Sequence, residues 1–62
     1  MIMNFKKFQP LTDQTKNTVS LLLERGGQII FERKDYIEIQ RLESIARIDQ
    51  LGRVDWRSTR ER

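Results

Sequence analysis

Apolar side chains recur every three to four residues along two stretches of this chain, and each stretch carries start and stop signals of its own. In the first, Leu11, Thr15, Val19, Leu22 and Leu23 fall on one side of a helical wheel, while Asp13, Asn17 and Glu24 fall opposite. Pro10 breaks the preceding segment, and Thr12 offers a hydroxyl to the first-turn amides. Gly26 and Gly27 supply the stop, with Arg25 placed against the negative helix end. The pattern predicts a helix over 12–25. Leu21 falls outside the main stripe and reads as an ordinary exposed leucine.

The second stretch, Asp35 to Gly52, predicts a helix over 36–51. Asp35 and Glu38 have capping-box spacing, Glu43 and Arg47 stand four apart, and Gly52 ends the run. On the wheel this helix carries two seams: Ile39, Leu42 and Ala46 form one, Ile37, Ile48 and Leu51 the other, and Ile45 lies between. A competing parse pairs Gln28–Glu32 with Tyr36–Gln40 as a hairpin around Arg33, Lys34 and Asp35, supported by the alternation of Ile37, Glu38, Ile39 and Gln40. The agreement of cap, charge spacing and terminal glycine favours the helix.

Between the helices, Gln28–Phe31 is short and rich in β-branched and aromatic residues, the composition of a strand. Met3–Gln9 fits a short edge strand or an anchored arm, and a βαβ crossover through the first helix would make the two strands parallel. In the last stretch Val54 and Trp56 alternate, so that an extended tail could lay both on the second helix. The expected architecture is a small α+β domain, with two helices over 12–25 and 36–51, a strand near 28–31 and an N-terminal strand. A helical hairpin is the alternative. Residues 1–62 form one domain, of which 53–62 are a basic, partly flexible tail.

Length sharpens that picture. A chain of 62 residues buries only about 60% of the surface its unfolded form exposes. Lacking both Cys and His, it has neither disulfides nor a zinc staple, which leaves association as the natural supplement. No stretch approaches the roughly 20 apolar residues of a membrane span, and 1–8 is too short and mixed for a secretory signal, so the expected setting is cytoplasmic. The net charge of +3 is uneven: 1–26 hold four bases and two acids, 27–51 four and five, and 52–62 four and two. Basic ends could steer the chain toward phosphates or an acidic protein surface.

Catalysis finds little material here. Without Cys or His, the sequence lacks the usual activators for a nucleophilic Ser20, Ser44 or Ser58, and Gly26–Gly27 lack the Lys and Ser or Thr of a phosphate loop. Glu32 and Lys34 spell a Glu-x-Lys triplet resembling half of a metal-dependent nuclease motif, with Asp13 the one early acid for the other half; they read instead as a charged turn and first-turn helix chemistry. No metal, cofactor or small-molecule substrate is expected.

Residues 26–42, GGQIIFERKDYIEIQRL, resemble the wing and following helix of small excisionase-like and MerR-like DNA-binding domains, with Gly27, Ile29, Phe31, Arg33 and Asp35 in matching order. That resemblance implies Arg33 and Lys34 on phosphates, with the first helix approaching the groove through Lys16 and Asn17. Those families place two short helices before the wing, where this chain offers one. The tail adds Arg53, Arg57 and Arg60 on one face if it becomes helical, beside Trp56 as a stacking group.

The favoured expectation is a non-catalytic regulatory or adaptor protein that binds a protein partner or a second copy of itself. Ile37, Ile45, Ile48, Leu51 and Trp56 would be its anchors, with Arg53 and Arg57 tuning approach. The alternative is a small DNA-binding regulator using Arg33, Lys34, Arg53 and Arg57.

Overall fold

The computed structural model describes residues 5–60. One helix, α1 (Asp13–Glu24), is followed by four strands, β1 (Gln28–Glu32), β2 (Tyr36–Arg41), β3 (Ser44–Asp49) and β4 (Val54–Ser58). The strands pair in chain order as an antiparallel meander, and α1 packs on one face of the sheet.

The first helix agrees with its sequence signals. Thr12 is the N-cap, its hydroxyl oxygen accepting from the Thr15 amide at 3.1 Å. At the other end the Gly26 amide donates to the Leu23 carbonyl and the Gly27 amide to that of Leu22, with Gly26 at φ +96°, a Schellman ending. Gly27 is needed for a second reason. A Cβ there would lie 2.6 Å from Ile39 Cγ2 and 2.7 Å from the Leu22 carbonyl oxygen, so its bareness lets the helix end meet β2.

The expected second helix is absent, and so are both the two-helix architecture and the helical hairpin. Residues 36–41 and 44–49 are instead the two central strands, joined by a two-residue turn at Leu42–Glu43. Four isoleucines, at 37, 39, 45 and 48, lie in these strands, where β-branched side chains pack well on a pleated surface. The pairing of Ile39 with Ala46 and of Ile37 with Ile48 puts Ile37, Ile39, Ala46 and Ile48 on the helix side, where they are fully buried with Val19, while Ile45 falls on the other face. Phe8 completes the buried core, and Ile29, Leu22, Leu23, Val54 and Phe5 pack around it.

Three further expectations change. The pairing of β1 is antiparallel with β2, as in the competing hairpin parse, not parallel with an N-terminal strand. Residues 5–9 form an anchored arm rather than a strand, and Met3 and Asn4 of the expected strand lie outside the described residues. The Lys7 and Phe8 amides donate to the Glu32 carboxylate, the Gln9 amide donates to the Lys34 carbonyl, and the Gln50 side chain donates to the Gln9 carbonyl. The tail is structured as well: Val54–Ser58 is β4, and the Thr59 amide donates to the Glu43 carbonyl. Gly52 closes the β3–β4 turn, where the Asp49 carboxylate accepts from the Leu51 and Arg53 amides.

Among the described residues no helix is long and apolar enough to cross a membrane.

Candidate functional site

Because directly paired residues in an antiparallel sheet share a face, the register determines what the face away from α1 displays. One row across it is Phe31, Glu38, Arg47 and Asp55; a second is Gln28, Gln40, Ile45 and Arg57; Tyr36 and Asp49 form a third. Ile30 is the extra residue of a β-bulge between Ile29 and Phe31, which disturbs the edge strand there.

Glu38 sits near the middle of this open face, yet is only 6% exposed. Two arginines cover it. Arg47 Nε donates to one carboxylate oxygen at 3.1 Å and Arg57 Nη2 to the other at 3.3 Å. Arg47 also lies over the Tyr36 ring, 4.6 Å from its centroid, and Tyr36 packs against Phe31 with centroids 5.8 Å apart. A continuous chain of contacts therefore runs across all four strands, from Phe31 on β1 through Tyr36 and Glu38 on β2 and Arg47 on β3 to Arg57 on β4. The shared carboxylate anchors both guanidiniums over the sheet and limits their freedom in solvent.

The electrostatics follow from the rows. Arg47 and Arg57 share this face with Glu38, Asp49 and Asp55, so the acids are not outnumbered. Phe31 is 44% exposed, and Ile45 and Tyr36 are half-buried, so apolar and aromatic surface flanks a largely neutralised centre.

The residues expected to form the contact surface are dispersed. Ile37 and Ile48 are core residues under α1, because the strands alternate where a helix would have put them on one exposed seam. Ile45 and Arg57 share a row on the open face. Leu51 is exposed in the β3–β4 turn, and Arg53 beside it approaches the Asp49 carboxylate at 4.0 Å. Trp56 is paired with Ala46 and so faces the helix side, but on the edge strand it escapes the cover of α1 and is 55% exposed. It does not share a face of β4 with Arg57.

Arg33 and Lys34 lie in the β1–β2 turn, where they line a cleft with Lys7, Phe31, Glu32 and Asp35. Asp35 precedes a strand rather than capping a helix, so the wing of the excisionase-like comparison is present only as a strand and turn, without its following helix. For the nuclease-like triplet, the Glu32 carboxylate is occupied by backbone amides of the arm, and Asp13 is the first residue of α1. Among the described residues no three His, Cys, Asp or Glu side chains gather as a metal site.

Sequence reasoning missed Glu38, Arg47, Tyr36 and Phe31 as a unit. The signal for them was the alternation over 36–40, which places Tyr36 and Glu38 together on one face of a strand. Comparison with protein families, with curated proteins and with solved structures finds no match to this chain.

Proposed function

We propose that this chain is a non-catalytic binding protein whose contact surface is the open face of its sheet, and whose partner is a protein surface, with a second copy of the chain the simplest case. The observation that carries this reading is Glu38, buried beneath Arg47 and Arg57 at the centre of a face that no other described element covers. Arginine and tyrosine held in fixed positions lose little freedom on binding, and both are enriched at the energetic centres of protein interfaces. Balanced charge with aromatic flanks suits a protein surface better than a polyanion.

Size limits the strength of the contact. Four strands spaced by about 4.8 Å and five residues rising about 3.4 Å each give a footprint of roughly 300 Å². Counted on both partners that is about 600 Å², below the roughly 1,200 Å² at which stable specific interfaces begin, so the association is transient unless the edges contribute. The proposed setting is the cytoplasm, where a chain without cysteine has no use for oxidising conditions.

The test is a photo-crosslinking amino acid placed at Ile45, and separately at Asn17 on the exposed side of α1, in cells that express the chain. A discrete adduct from position 45 that disappears with Arg57→Glu, with none from position 17, supports the reading. Equal adducts from both positions, or none from position 45, overturn it.

A further inference from the structure

The end of the sheet beside the β1–β2 turn differs in charge from its open face. There the anchored arm brings Lys7 next to Arg33 and Lys34, and the three cations line a cleft whose wall includes Phe31. Unlike Arg47, Arg53, Arg57 and Arg60, none of the three forms an ion pair with another described residue. Two carboxylates share the cleft. Glu32 is turned toward the arm, accepting from the Lys7 and Phe8 amides, which leaves Asp35 as the acid facing the turn. Phe31 leads out of the cleft to Tyr36, their rings 5.8 Å apart and tilted by 34°.

We propose that this cleft binds single-stranded nucleic acid, with phosphates at Lys7, Arg33 and Lys34 and a base against Phe31. Cations without an ion pair to a described residue, beside the exposed ring of Phe31, are the two components such binding requires: a charged track for the backbone and a ring on which any base can stack. The cations also come from two separate segments. Glu32 and the Gln9–Lys34 backbone bond fix the arm to the turn, so Lys7 is held where the other two can act with it. The cleft and the Glu38 centre share only Phe31, so either contact can exist without the other.

The test is fluorescence anisotropy with a labelled oligothymidylate at several salt concentrations. Neutralising three phosphates of a single strand gives a log–log salt slope of about −2, so raising salt fourfold weakens binding by about twentyfold. Arg33→Glu/Lys34→Glu weakens binding at least tenfold and flattens the slope, while Phe31→Ala weakens it and leaves the slope unchanged. A control with the same charge change on α1 and its C-cap, Lys16→Glu/Arg25→Glu, loses much less. Trp56 lies on the opposite edge strand and the other face, so its emission does not respond. The proposal is overturned by absence of binding at low salt, by equal losses in the cleft variant and the α1 control, or by Trp56 quenching with binding abolished in Trp56→Phe.

Discussion

Replacing Glu38 with glutamine removes one charge and no volume, and so isolates what the carboxylate does for the sheet. In the native chain its two oxygens each accept a charge-assisted bond, from Arg47 at 3.1 Å and from Arg57 at 3.3 Å. Were all three groups buried, each bond would contribute roughly 1.5–3 kcal/mol. The guanidiniums are half-exposed, however, and solvent screening cuts the contribution of each pair toward the roughly 0.2–1 kcal/mol of surface pairs. Glutamine keeps one acceptor for one arginine and turns its amide donor toward the other. A destabilisation of about 1–2 kcal/mol is expected, equivalent to a fall in Tm of roughly 5–15 °C for a domain of this size. Urea unfolding followed by circular dichroism measures it, and a double-mutant cycle with Arg57→Gln should give a coupling of about 0.5 kcal/mol or more. Destabilisation within error, with no coupling, would show that the arginines do not depend on Glu38 for their positions.

Other substitutions probe the fold directly. Ile37→Ala removes a fully buried side chain and should cost about 2–5 kcal/mol, whereas Ile45→Ala on the open face should cost less than about 1 kcal/mol; thermal denaturation of the two separates the sheet from a helix with both residues on exposed seams. Gly27→Ala forces a methyl against Ile39 and the Leu22 carbonyl, and should destabilise by roughly 1–3 kcal/mol in urea titration. Leu42, at φ 57° and 81% exposed, holds a left-handed conformation without packing in return, so Leu42→Gly should stabilise by about 0.5–1 kcal/mol in the same assay.

How much of this was legible depended on whether the local signals were unique to one backbone. The first helix was legible throughout, because Thr12 and the Gly26–Gly27 pair have capping functions that no strand would use. The second stretch misled through its turn. A two-residue connection at Leu42–Glu43 changes the parity of the inward positions from 37 and 39 to 46 and 48, which leaves Ile39 and Ala46 seven apart, and the exposed Leu42 between them completes spacings of three and four that imitate a helix. Leu42 hid the turn, since hairpins of this kind usually announce themselves with glycine or asparagine where φ is positive. The supporting signals were coincidences of spacing: Glu38 reaches Arg47 across strands, and Glu43 pairs with Arg60 rather than Arg47. What spoke against a helix was the four isoleucines, whose stiff side chains favour strands.

The same error explains why the contact surface was sought on a second helix. Read as a helix, residues 36–51 seem to have more apolar surface than a small chain can cover, and the surplus becomes an interface. Read as two strands, the surplus disappears: Ile37, Ile39, Ala46 and Ile48 all enter one core beneath α1, and Ile48→Asp would unfold the chain rather than dissociate it. The face left open then bears charge as well as apolar groups, and its charges are arranged rather than scattered. A carboxylate excluded from water and satisfied by two arginines is costly to assemble on a surface where solvated side chains would serve as well. Its presence at the centre of the uncovered face, with Tyr36 and Phe31 in line, is what separates this face from an ordinary solvated sheet and makes it the place to look for a partner.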